Sequence, residues 1–148
     1  MTERRPTVEE ILRQRGYYVS TTSGISMYPL LRDRQFVIKV VPAQGRLKKY
    51  DVALFHRGSE LVLHRVIRVY PDRYYIRGDN CEGGEYVSDS QIIGVLSEIN
   101  GKDRHLKVTD PSYIAYSHLT VLSHPVRYAV KKSYRLARRG ARRILRGN

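Results

Sequence analysis

Residues 51–70 read Asp-Val-Ala-Leu-Phe-His-Arg-Gly-Ser-Glu-Leu-Val-Leu-His-Arg-Val-Ile-Arg-Val-Tyr. Asp51 to His56 and Leu61 to Tyr70 are rich in β-branched and large apolar residues. Between them Arg57-Gly58-Ser59-Glu60 carries a turn signal of hairpin length. Two strands joined by a tight turn predict antiparallel pairing, and the sequence on either side continues in the same way. Upstream, Phe36 to Val41 is a strand of high β propensity, and Tyr17 to Thr22 is a shorter one. Downstream, Arg73 to Arg77, Gln91 to Ile99 and a last short run from His105 to Val108 are expected strands. Pro71-Asp72 and Asn100-Gly101-Lys102 supply turns, while Pro42 to Tyr50 and Gly78 to Asp89 read as loops.

Thr7 to Arg15 predicts one short helix, with Thr7 and Glu10 in capping-box spacing and Gly16 as a stop. Seven or so strands with one small helix predict a mainly β domain, a coiled antiparallel sheet or partly open barrel. After Pro111 the pattern turns helical. Val126, Val130, Tyr134, Ala137, Ala141 and Leu145 recur at three- or four-residue steps among arginines and lysines, which predicts a basic amphipathic helix. The expected organisation is a β domain over 1–110 and a helical basic extension over 111–148.

Composition bounds the partners. Twelve tyrosines and no tryptophan agree with a strand-rich chain of 148 residues. The net charge is +13, yet nine Lys or Arg and no acid fall between Val126 and Asn148, which leaves only +4 for the rest. The basic character therefore belongs to the tail. One cysteine, Cys81, excludes an internal disulfide framework. No stretch approaches the ~20 apolar residues that span a bilayer, and the charged start from Met1 to Glu10 lacks a signal-peptide core. The expected location is cytoplasmic, with peripheral membrane contact open.

Three short pieces carry chemistry. Ser23 to Leu31 runs Ser-Gly-Ile-Ser-Met-Tyr-Pro-Leu-Leu. Ser26, two residues past Gly24 and entering a turn that Pro29 stiffens, presents a hydroxyl beside backbone N–H groups, as acyl transfer needs. A polar turn residue is the alternative. His64 lies in an apolar strand, where partial burial favours the neutral imidazole that a general base requires; a hydrogen-bonded structural histidine is the alternative. Gly78-Asp79-Asn80 follows a strand and Asp89 closes the same loop, so Asp79 and Asp89 are carboxylates able to orient a histidine. Cys81 is a competing nucleophile without an oxyanion turn of its own. His56 and His64 lack a third ligand at ordered spacing, so neither a metal nor a cofactor is called for.

Together these pieces resemble the signal peptidase I family of serine endopeptidases, whose clan includes self-cleaving SOS repressors. Four blocks between Gly24 and Ile99 carry the resemblance in family order: Gly24 to Pro29, Lys49 to Phe55, His64 to Ile67, and Gly78-Asp79-Asn80 followed by Asp89-Ser90 and Gly94-Val95. Most bacterial members have lysine where this chain has His64, so the resemblance is to the Ser-His branch. It implies a coiled, mostly antiparallel β fold, Ser26 as nucleophile, His64 as base, Asp89 as helper acid and Asp79 as a mainly structural carboxylate. It also implies a signal peptide, leader peptide or dedicated protein substrate bound as an extended strand. The chain departs from the family in lacking the usual N-terminal anchor and in placing Gly24 where many members have a hydroxyl.

The basic tail fits an anionic membrane surface, nucleic acid as the less favoured partner, or packing against the β domain. The rival to an enzyme is a catalytically silent, peptidase-like regulator or binding module. Only some 22 residues precede the Ser26 block, too few for the DNA-binding domain of the related repressors.

Overall fold

The structure is a computed structural model that describes residues 4–146, with side chains through Arg142. Met1 to Glu3, Asn148 and the side chain of Leu145 lie outside the described residues. The order of elements is α1 (Val8–Arg15), β1 (Tyr18–Thr21), β2 (Phe36–Val41), β3 (Val52–Arg57), β4 (Glu60–Val69), β5 (Arg73–Arg77), β6 (Glu85–Ser88), β7 (Ile92–Gly101), β8 (Arg104–Lys107), α2 (Pro111–Leu122) and α3 (His124–Arg146). This is a mainly antiparallel β fold with a short N-terminal helix and two C-terminal helices.

All eight strands join one antiparallel sheet, seven of them in the order β1-β2-β7-β3-β4-β5-β6 and β8 pairing with β7 off this path. The ten-residue β7 is its spine. It carries β2 along one edge, and β3 followed by β8 along the other. The expected hairpin forms, with Val52 opposite Arg65 and Arg57 opposite Glu60. β1 and β6 stay unpaired on their outer sides, so the sheet is open rather than a closed barrel. The stretch expected as one loop from Gly78 to Asp89 contains β6, a four-residue edge strand pairing with β5.

β3 is buried on both faces, as period-two alternation dictates for a central strand. Val52 and Leu54 enter one core with Leu12, Met27, Leu30, Leu31, Leu96 and Ile99. Ala53 and Phe55 enter the other with Val66, Tyr74, Ile76 and Val87. The helix α1 forms because Thr7 Oγ1 accepts from the Glu10 amide while the Glu10 carboxylate accepts from the Thr7 amide at 2.8 Å. Gly16 ends it in the left-handed region at φ 77°. Leu12 anchors α1 in the first core, and Glu9 reaches His56 Nε2 at 2.5 Å.

The boundary expected after residue 110 does not separate α2 from the β domain. Tyr113 is part of the first core, and Ser117 Oγ accepts from Arg65 Nη1 at 2.8 Å beneath the sheet. A polar side chain buried against an arginine must be packed there as the domain folds. α2 therefore belongs to the domain, and only α3 extends from it.

Candidate active site

Ser26 sits on the turn that leaves β1, and the sequence around it fixes that turn at three points. Gly24 takes φ +85°, a conformation L side chains rarely adopt, and its amide donates to Asp33 Oδ1 at 2.7 Å. Met27, Leu30 and Leu31 follow immediately and are at least 96% buried in the first core. Each such side chain contributes about 1.5–3 kcal/mol when removed from water. The buried Thr22 donates to the Arg32 carbonyl at 3.2 Å, closing the base of the loop. Ile25 and Tyr28 remain exposed on either side of Ser26.

The loop after β5 lies across this turn. Asn80 N–H donates to the Ser26 carbonyl at 2.8 Å, and Asn80 Nδ2 donates to the Ile25 carbonyl at 3.1 Å. Gly78 is the point of closest approach. A Cβ there would stand 2.6 Å from the Ser26 carbonyl oxygen, 2.7 Å from Cys81 Sγ and 3.0 Å from His64 Nε2. The glycine is required by space, because the nearest obstruction is backbone. The same distances bring the serine turn, the thiol and the imidazole together around one Cα.

Ser26, His64, Cys81 and Glu85 line a cleft of about 650 Å³. Its long walls include Tyr18, Ser20 and Thr21 of β1 and Leu61, Val62 and Leu63 of β4. The outer edge of β1 is unpaired, and β5 covers β4 only from Arg65 onward. The cleft thus runs between two strand edges with free hydrogen-bonding groups. Among the described residues nothing accepts from the Ser26 N–H, which leaves it available to an anion.

His64 is 6% exposed and packs beside the ring of Phe55. Burial holds its pKa below the ordinary value of 6.5, and the positive charge of Arg57 pushes the same way. Glu85 and Asp79 oppose them more weakly. The imidazole is therefore neutral at pH 7, the form a general base needs. Its Nδ1 is buried without a hydrogen-bond partner. The nearest carboxylate oxygen is Glu85 Oε1 at 3.8 Å, beyond hydrogen-bonding distance but close enough to act through its charge. Glu85 is itself held by Arg57, whose Nε donates to Oε2 at 2.9 Å and whose Nη2 donates to Oε1. That contact keeps the Glu85 carboxyl below its usual range.

The two expected carboxylates are placed elsewhere. Asp79 is 5% exposed and receives Arg65 Nε at 2.7 Å and Nη2 at 2.8 Å, with Tyr116 Oη donating at 3.0 Å. Arg65 Nη1 also reaches the Tyr50 carbonyl at 3.0 Å. Burial works against the charge on Arg65, but the Asp79 carboxylate outweighs it and raises the arginine's pKa. Asp79 thus fixes the start of the 78–82 loop from below. Asp89 does not line the cleft; it accepts from Tyr74 Oη and pairs with Arg46 at 3.5 Å. Glu85, the acid nearest the histidine, lies in β6, inside the stretch whose polar, glycine-containing sequence predicts a loop.

No metal-binding cluster of three His, Cys, Asp or Glu residues forms among the described residues. Compared with known proteins, the chain matches no family model and no curated sequence.

Proposed function

We propose that this chain is a serine endopeptidase of the signal peptidase type, with Ser26 as nucleophile and His64 as base. One observation carries the reading: the backbone turn at Ser26 and a buried, neutral His64 both close on Gly78, and both residues line one cleft whose walls include β1 and β4. A peptide laid in that cleft as an extended strand satisfies backbone donors and acceptors on both walls. Its scissile carbonyl would then lie over the Ser26 turn.

In the first step the lone pair of Ser26 Oγ attacks the carbonyl carbon, and His64 Nε2 takes the hydroxyl proton. The C=O electron pair moves to oxygen, where the free Ser26 N–H stabilises it. Collapse breaks the C–N bond, the amine leaves with the proton held by Nε2, and an acyl-serine remains. Water repeats the sequence, giving its proton to Nε2 and releasing the carboxylic acid from Ser26. The imidazolium that forms twice per turnover faces Glu85, so Glu85 takes the electrostatic part that sequence assigned to Asp89. We place this activity at a membrane surface, through α3; no helix among the described residues is long and apolar enough to cross a membrane.

A fluorophosphonate probe tests the reading without knowledge of the substrate. The wild-type chain should be labelled, Ser26→Ala should not be, and His64→Ala should label at least about a thousandfold more slowly. Cys81→Ser should label like the wild type, although its thiol lines the cleft. Equal labelling of Ser26→Ala would end the assignment. An unlabelled but folded wild type would leave the peptidase-like binding module as the better description.

A further inference from the structure

α3 is oriented the wrong way round for a helix that merely stabilises the domain. Such a helix turns its apolar stripe inward and its charges to water. Here the polar side makes the contacts. His124 Nε2 meets the Cys81 carbonyl at 2.9 Å, and Arg127 Nη1 donates to the Asp79 carbonyl at 3.4 Å. Lys131 Nζ donates to Asn80 Oδ1 at 2.5 Å, while Tyr128 Oη and Arg135 Nη2 both reach the Glu82 carboxylate. The helix therefore grips every residue from Asp79 to Glu82, the loop that bonds the Ser26 and Ile25 carbonyls.

The opposite side of α3 is left to solvent. Val126, Val130, Tyr134 and Leu136 are 58–67% exposed, and Leu119 and Leu122 at the end of α2 are exposed directly before them. By the 3.6-residue period Ala137 and Ala141 prolong this stripe. Arg138 is exposed on one flank of the stripe, Lys132, Arg139 and Arg142 are exposed on the rest of the helix surface, and α3 contains no acidic residue. Among the described side chains, none beyond Arg135 forms a hydrogen bond or ion pair with the domain.

We propose that α3 is an interfacial helix that docks the domain on an anionic lipid bilayer, and that docking steadies the 78–82 loop over Ser26. Charge complementarity selects this occupant. A bilayer with anionic headgroups covers an apolar stripe and attracts the basic helix that carries it in the same act. A nucleic acid would meet the charges and leave Val126, Val130 and Tyr134 in water. The second half of the proposal rests on the peptidase reading, whereas the docking itself does not.

The chain has no tryptophan, so Tyr134→Trp installs a single reporter on the stripe. In this variant with Ser26→Ala, vesicles of phosphatidylcholine and phosphatidylglycerol should shift the emission to the blue, and pure phosphatidylcholine should not. Adding Val130→Asp should abolish the shift. Arg138→Glu with Arg139→Glu should weaken binding at least about 25-fold, at roughly fivefold for each charge lost near the surface. Val130 and both arginines are exposed, and circular dichroism confirms that each variant is folded. The absence of a shift, or an equal shift on neutral vesicles, overturns the docking. Binding to duplex DNA that survives Val130→Asp, with no binding to vesicles, overturns it in favour of nucleic acid. For the coupling, fluorophosphonate labelling of wild-type Ser26 should accelerate on anionic vesicles and lose that acceleration in Lys131→Ala, which keeps the stripe. Vesicle binding without acceleration overturns the coupling, and vesicle binding by an unlabelled protein overturns the peptidase reading alone.

Discussion

Two polar clusters are buried within a few residues of each other on β4, and they are finished to different degrees. Arg65 and Asp79 are completely partnered: two parallel hydrogen bonds join them, and Ser117, Tyr50 and Tyr116 take remaining donor and acceptor sites. Next to them His64 is also buried, at 6% exposed against 0% for Arg65, yet its Nδ1 has no partner and the residue lines the cleft. A complete network in a low-dielectric interior rigidifies its surroundings. An incomplete one costs stability and leaves a group free to exchange protons. Neighbouring residues on one strand point to opposite faces, so β4 presents the partnered cluster on one side and the open histidine on the other.

His64→Leu probes this difference most sharply. Cleavage should fall by about four orders of magnitude or more, while thermal stability is unchanged or rises by up to about 1 kcal/mol, because an unpartnered buried nitrogen is removed. A stability loss of several kcal/mol would make His64 a structural residue like its neighbour, and the contrast would collapse. Asp79→Ala should do the reverse. It leaves the Arg65 guanidinium buried and uncompensated, a loss of about 3–5 kcal/mol by chemical denaturation. Glu85→Ala, which breaks a partly exposed pair with Arg57, should cost no more than about 1 kcal/mol. Should Asp79→Ala unfold no more readily than Glu85→Ala, the completed network would not be what holds the loop.

The strands were legible because their signal is local. The alternation in β3 and β4 and the Arg57 to Glu60 turn set the hairpin, and Phe36 to Val41 needed no context. β6 was not legible. Glu85-Tyr86-Val87-Ser88 is four residues long, has one fully buried apolar side chain, and forms at an edge through pairing with Arg73 to Ile76. With β6 unmarked, Glu85 carries no local signal either, and the partners of Asp79 and Asp89, which include Arg65 and Tyr74, are set by tertiary packing. Ser26 and His64 were legible as candidates because a glycine turn and an apolar strand announce themselves locally. Their meeting at Gly78 depends on how the 78–82 loop crosses the β1 turn, which no spacing in the sequence encodes. The amphipathic period of α3 was equally visible, but its inverted orientation follows from Glu82, Asn80 and the loop carbonyls that its polar side engages.

The smallest effects concern pH, and their signs are opposite for the two charges beside His64. In the folded state burial first, then Arg57, holds the histidine below 6.5. As the pH falls through the ordinary histidine range, the unfolded chain takes up a proton that the folded one refuses, so stability declines toward acid until the folded pKa is passed. His64→Leu should flatten that decline. The acid limb of the cleavage rate reports the same group in the free enzyme. Arg57→Gln removes a positive charge that depresses His64, and the limb should move to higher pH. Glu85→Gln removes a negative charge that raises it, and the limb should move to lower pH. Rate profiles of the two variants against the parent, between pH 5 and 8, check the pair together. Movement of both limbs in one direction would mean that the histidine answers to cleft geometry rather than to charge, and Glu85 would then have no electrostatic part in the reaction.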